Sequence, residues 1–231
     1  MMVYTAINID KNFGLLVGRA VWCVGRMLDL FGNDQKILTQ IFEEITVCIN
    51  NYKHDLTISL IACKCLTKLT TILIEQNEFK FDSEKIVENY KNIIEIMRRT
   101  NEDTLLVPIQ TINNLSKLNT KRALYVPLNH SSVFLDIYSK YYNHSEIGIE
   151  ILNLIKLWCG DPVTARILLK LFIPFAMFVF EEFYKTLSQP DKDNFDEIKK
   201  TVMTSHGNQD IEIKTSISML PVYYLLKIEF D

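Results

Sequence analysis

Helical segments recur along this chain in pairs, and the pairs return at a period in the forties. The first helix of each pair is read to open near residues 13, 55, 103, 145 and 191, giving spacings of 42, 48, 42 and 46. A chain built this way cannot bury the apolar face of one pair alone. Each pair must stack on the next, which commits the chain to an all-α array of helix pairs. A second register runs in parallel. Val126-Pro127-Leu128, Ile173-Pro174-Phe175 and Leu220-Pro221-Val222 place proline between apolar residues in second helices, 47 residues apart each time. Proline inside a helix costs about 3 kcal/mol unless a bend is wanted, so its return at one phase predicts a repeated kink.

The segments follow from apolar spacing and turn chemistry. Phe13 to Phe31 carries Leu16, Ala20, Cys23, Val24, Met27 and Phe31 at helical intervals, which predicts one inward stripe. Gly32-Asn33-Asp34 ends that helix, and Asp34 is placed to cap the next, to about Asn50, with Ile37, Ile41, Ile45, Val47 and Cys48 turned inward. Asp55 caps a helix to about Glu75, and Asp82 one from Ser83 to about Arg99. Asp103 precedes Thr104 to Leu118, a helix follows over Leu124 to Tyr142, and Ser145 precedes Glu146 to Trp158. Gly160-Asp161-Pro162 stops one helix and starts another, with Asp161 as cap and Pro162 at the first helical position. The repeats then read as about 13–50, 55–99, 103–142, 145–188 and 191–228, one array over 1–231.

Composition agrees. Only 7 Gly and 6 Pro occur in 231 residues, too few for the turn-dense chain of a β-sandwich or barrel. With 48% apolar residues the chain has the material for a large core. Its formal net charge is −3, which argues against a nucleic-acid module living on basic charge. All of that net charge falls from Asp191 onward, where 8 acidic residues face 5 basic ones. The longest apolar run, Leu171 to Phe180, is ten residues, short of the ~20 that a membrane span needs. Five cysteines and an opening without a leader pattern point to reduced thiols in the cytoplasm or nucleus.

Catalytic and metal-binding patterns do not assemble. Cys63-Lys64-Cys65 has two thiols on opposite sides of a helix and no second ligand pair for zinc. Asn129-His130-Ser131-Ser132 with Asp136 lies within one helix, where side chains cannot converge on a substrate. No phosphate-cradling glycine loop occurs. The reading is of a binding scaffold, not an enzyme, with no cofactor and no metal. Phe172, Phe175, Phe178, Phe180, Phe183 and Tyr184 circle their helix, as a buried helix would; a groove for Phe-Gly repeats is the sharper alternative.

Asp55, Ile58, Ala62 and Leu66 resemble the first-helix pattern of HEAT repeats, in which a small Ala lets paired helices approach; the Arg usual at the fourth position on is Ser59 here. The apolar end MLPVYYLLKIEFD has no polar cap, so the chain is expected to be an excerpt of a longer solenoid. The run from Gly14 to Met27, GLLVGRAVWCVGRM, followed by a second helix and then Asp55 to Leu69, resembles the middle of importin-β-family transport receptors, most nearly the importin-nine subgroup. Phe134 to Asn143 is similar to a later second helix of the same proteins.

The resemblance implies a nuclear import receptor that carries basic cargo, core histones or ribosomal proteins, on its second-helix face. Ran-GTP would act through repeats outside this segment, and nucleoporin Phe-Gly repeats would be partners. The acidic residues expected to meet cargo are Glu43, Glu44, Glu88, Asp136, Glu181 and Glu182. The alternative reading is a HEAT scaffold of another class, a phosphatase scaffold or a vesicle-coat adaptor.

Overall fold

Three aspartates set the starts of three helices, and their geometry shows how. Asp34 Oδ1 accepts from the Lys36 and Ile37 amides, both at 3.1 Å. Asp55 Oδ1 accepts from the Ile58 amide at 3.1 Å. Asp161 Oδ2 takes both the amide and the hydroxyl of Thr164 at 2.8 Å. Each satisfies first-turn donors that have no partner within the helix. In a computed structural model of the chain, residues 14–31, 34–76, 83–118, 124–141, 144–168 and 170 are described. They form α1 (Gly14–Met27, continued by a 3-10 turn Leu28–Phe31), α2 (Gln35–Tyr52), α3 (Leu56–Gln76), α4 (Ser83–Met97), α5 (Glu102–Leu118), α6 (Tyr125–Tyr141) and α7 (Ser145–Trp158). A further helical stretch opens at Pro162. The protein is all-α, with no strand among the described residues.

The chain divides into two compact units, Met1–Ile167 and Leu168–Asp231, and α1 to α7 belong to the first. The helices read after residue 170, with Pro174 and Pro221, lie outside the described residues.

Within the first unit the helices make two rows. Helices α1, α3, α5 and α7 pack each on the next, and so do α2, α4 and α6. In the first row the helices start 42, 46 and 43 residues apart; in the second, 48 and 42. The rows are joined at hairpins. Helices α2 and α3 meet across Lys53-His54-Asp55, and α4 and α5 across residues 98–101. The most extensive hairpins are therefore α2–α3, α4–α5 and α6–α7, each joining the second helix of one sequence-read pair to the first helix of the next.

The inward face of α1 differs from the expected stripe. Val17, Val21, Val24 and Leu28 are buried, whereas Leu16, Cys23 and Met27 are exposed. A helix this apolar offers two stripes one residue apart, and glycine chooses between them. Cβ atoms built at Gly14, Gly18 and Gly25 would meet Ile58, Ile61 and Cys65 of α3, so the Gly–Val side is the one that admits a neighbouring backbone. At Gly25 the Cβ would lie 3.3 Å from Cys65 Sγ and 3.7 Å from Cys65 Cα, a crowding that glycine avoids. In α2, Leu38, Ile41, Phe42, Ile45, Thr46, Cys48 and Ile49 are buried, and Ile37 and Val47 turn outward.

Helix α3 packs chiefly on α1, α2 and α5. Ile58, Ala62, Leu66, Leu69 and Leu73 are buried along it. Among the described helices it alone is long and apolar enough to cross a membrane by length and composition, and its three packed neighbours account for that apolarity. Ser59, at the position where the HEAT pattern has Arg, is fully buried and donates its hydroxyl to the Tyr52 carbonyl at 2.8 Å.

Polar side chains cross between stacked helices. Asn89 Nδ2 of α4 donates to Thr46 Oγ1 of α2 at 2.9 Å in a buried site. The Thr67 and Thr111 hydroxyls join α3 to α5 at 2.9 Å. Asn114 Nδ2 donates to the Thr67 carbonyl and to Thr71 Oγ1, and Asn113 Nδ2 to Glu150 Oε2 of α7 at 2.6 Å. The Asn89–Thr46 bond is buried and costly to leave unmade, so it fixes the register of α4 on α2.

Three terminal details depart from the reading. Helix α5 begins at Glu102, earlier than expected: the Thr104 hydroxyl donates to Asn101 Oδ1 at 2.7 Å, so Asn101 precedes the helix and Asp103 sits inside its first turn. His144, not Ser145, caps α7, its Nδ1 accepting from the Ile147 amide. Pro127 lies in the first turn of α6, where a missing amide hydrogen costs nothing, so it is not the source of a kink. The bend in α6 falls at His130, whose φ of −137° and ψ of 16° leave the helical region. Among the described residues the proline inside a helix is Pro108 of α5, which has no amide hydrogen for the Thr104 carbonyl.

Candidate functional site

The outward side of α2, α4 and α6 carries the acidic residues singled out for cargo. Glu43 is exposed on α2, and its carboxylate holds Lys85 of α4 at 2.6 Å. Next to it Glu44 is half-buried, and burial first, then the neighbouring Glu43 charge, hold its carboxyl above the ordinary range. Glu88 is half-buried on α4 and Asp136 exposed on α6. Glu181 and Glu182 lie outside the described residues. The fold thus brings Glu43 together with Lys85, and sets Asp136 on α6, which packs on α4.

A pattern of charge pairing, present in the sequence, was missed by reading each helix alone. Glu43 and Lys85 are 42 residues apart. So are Lys53 and Glu95, which pair at 3.0 Å. Opposite charges 42 residues apart end up side by side once the helices stack. These pairs are exposed and each contributes between about 0 and 1 kcal/mol. Their larger effect is to neutralise: the face is a mixture of signs rather than an acidic track. Lys68 of α3 is likewise held by Asp29, beside α1, at 2.6 Å.

Burial accounts for the thiols. Cys48, Cys63 and Cys65 are buried, and loss of solvent pushes each thiol up to about 12. Cys159 is pushed up to about 11 by the same cause. Cys23 alone is exposed. Because the thiolate is the reactive form, a maleimide or disulfide reagent is expected to modify Cys23 at neutral pH and leave Cys48, Cys63 and Cys65 intact until the chain unfolds. Mass spectrometry of peptides from the labelled native protein is the check, and modification of the three buried thiols at the rate of Cys23 would show that the α2–α3 core opens readily.

No group of three or more metal-ligating side chains converges among the described residues. A shallow, open depression at the α2–α3 turn is lined by Gly14, Asn51, Tyr52, His54 and Asp55. Arg99 closes the same turn from the end of α4, donating to the Lys53 and His54 carbonyls. His130 makes no hydrogen bond to Ser131, Ser132 or Asp136; its ring lies 5.7 Å from that of Tyr125, and its Nε2 is enclosed without a partner. No known protein family, curated protein or solved structure matches the chain.

Proposed function

We propose that this chain forms a HEAT-type α-solenoid that works as a protein-binding scaffold, and that within this class it belongs to an import receptor of the importin-β kind, carrying basic cargo between cytoplasm and nucleus. The observation that carries the scaffold reading is the stacking at one period. Helices 42 to 48 residues apart are neighbours in both rows. Side chains such as Thr46 and Asn89 bond across that interval. Arrays of this kind offer long exposed faces and act by binding. The receptor reading rests on the likeness of Gly14 to Met27 and of residues 55–69 to importin-β proteins, with Ran-GTP and nucleoporin Phe-Gly repeats as further partners.

A core histone dimer with a fluorescent label is the probe. Binding to the chain is expected at low ionic strength, weakening as salt rises. Changing Glu43 and Glu44 to Lys removes two carboxylates and sets a like charge beside Lys85, and is expected to weaken binding about tenfold, or about 1.4 kcal/mol. No binding at low salt, or binding indifferent to the double reversal, would overturn the basic-cargo reading. A scaffold of another class, such as a phosphatase scaffold or coat adaptor, is the second reading. It is favoured by the pairing of Glu43 with Lys85 and of Glu95 with Lys53, which weakens any pull on a basic partner.

A further inference from the structure

Exposed apolar side chains are gathered on one helix. Of the ten large apolar residues exposed among the described residues, five are Leu15, Leu16, Trp22, Met27 and Leu30, all on α1 or its closing turn. Single exposed apolar residues are ordinary, whereas a contiguous set marks a contact surface. Leu15, Arg19, Trp22 and Arg26 follow at intervals of four, three and four, one stripe of a helix, and Leu30 continues it. Leu16 and Met27 run beside that stripe, with the exposed Cys23 between them. The opposite side of α1, with Val17, Val21 and Val24, is buried, and α1 packs there on α3. In the row α1, α3, α5 and α7, helices α3 and α5 each have a row neighbour on both sides; among the described helices α1 has one on a single side.

The charges on this face select what can cover it. Arg19 and Arg26 are both exposed, and neither forms an ion pair among the described residues. Asp29, the nearest carboxylate in sequence to Arg26, is held by Lys68 of α3 at 2.6 Å. Two free guanidiniums therefore stand seven residues apart, which is about 10.5 Å along the helix axis. A second copy meeting α1 with its own α1 would set like charges together, because an antiparallel pairing centred on Trp22 and Cys23 puts Arg19 opposite Arg26. A lipid surface fits no better, since the arginines run along the middle of the apolar face, the line that would sink deepest. Residues 1–13 contain a single acidic residue, Asp10, and cannot match both cations.

We propose that the outward face of α1 is a docking surface for an amphipathic helix of a partner protein, one that carries two carboxylates seven residues apart within its apolar stripe. A helix lying nearly parallel to α1 returns to the same contact line every seven residues, so its two carboxylates stay opposite Arg19 and Arg26. Each guanidinium can hold a carboxylate through two hydrogen bonds, and Trp22 between them supplies a large apolar anchor. The partner's charge is opposite to that of a basic cargo, so this surface is independent of Glu43 and Glu44 on α2.

Trp22 makes the test direct. The chain has two tryptophans, of which Trp158 is fully buried and Trp22 is 54% exposed, so a change in emission on docking arises at α1. The probe is a synthetic, tryptophan-free amphipathic helix with leucines on one face and a Glu pair seven residues apart among them, titrated into the full chain. A saturable blue shift of the emission is expected, together with slower labelling of Cys23 by a maleimide. In the Arg19→Glu, Arg26→Glu double variant affinity should fall by about tenfold or more with the circular dichroism unchanged, and a peptide with Lys in place of each Glu should recover it. Arg19→Gln with Arg26→Gln should weaken binding in the same direction and keeps the test readable if the reversal disturbs the fold. No blue shift with the peptide, or equal affinity for wild type and both double variants, overturns the surface. So does a blue shift with phosphatidylserine vesicles and none with the peptide, or self-association of the free chain that protects Cys23 as concentration rises.

Discussion

Trp158→Ala is expected to destabilise the α6–α7 hairpin by about 3–5 kcal/mol, the usual cost of removing a large aromatic from a closed core. Trp158 is the largest of the fully buried side chains and sits in the last turn of α7. Its ring meets Phe134 of α6 edge-on, with centroids 5.1 Å apart and planes at 84°, so truncation loses both the volume and the favourable ring geometry. The indole Nε1 has no hydrogen-bond partner, which separates two contributions. Trp158→Phe keeps a ring against Phe134 and removes an unsatisfied donor, and is expected to cost only about 1–2 kcal/mol. Hydrogen exchange resolved by helix is the measurement. Amides of α6 and α7 should exchange faster in the Ala variant, with a smaller change in the Phe variant. Equal protection in wild type and Trp158→Ala would mean that this contact is not what holds α6 to α7.

Much of the helix layout is legible because it depends on local chemistry. Asp34, Asp55 and Asp161 each lie directly before an apolar-periodic run, and each caps in the structure. What is harder to read depends on neighbours distant in sequence. Leu16, Cys23 and Met27 fit a helical stripe as well as Val17, Val21 and Val24 do, and only the approach of α3 to Gly18 and Gly25 decides between them. Asp103 looks like a cap by residue type, but Asn101 lies where the chain turns out of α4. Proline shows the same limit. Pro127 falls in a first turn and is harmless, and the bend three residues later belongs to His130.

The acidic candidates show a second kind of limit. Residue type and helix phase place Glu43 outward, and the structure agrees. Its availability to a partner depends on Lys85, 42 residues away, and that relation appears only when charges are compared between helices that stack. A site on a stacked fold is therefore a property of two helices, so reading one helix at a time overstates the charge that a partner meets.

Ser59→Arg is expected to destabilise the protein by about 3 kcal/mol or more, although it restores the residue that the HEAT first-helix pattern has there. In that pattern Arg reaches an Asp of the adjoining repeat. Here the position is fully closed, and the Ser59 hydroxyl is spent on the Tyr52 carbonyl at the end of α2. A guanidinium placed there would be desolvated, and Asp55 is already occupied with the Ile58 amide, so its carboxylate is poorly placed to meet the new charge. Ser59→Ala removes only the hydroxyl, leaving a carbonyl at a helix end, and should cost about 1 kcal/mol. Urea denaturation followed by circular dichroism distinguishes the two costs. A Ser59→Arg protein as stable as wild type would mean that the α2–α3 hairpin opens enough to let the arginine reach solvent, and that the buried serine is a packing choice rather than a constraint. The expected loss would show instead that this hairpin is held by a neutral bond to α2, of a piece with the neutral polar bonds Thr46–Asn89 and Thr67–Thr111 between stacked helices.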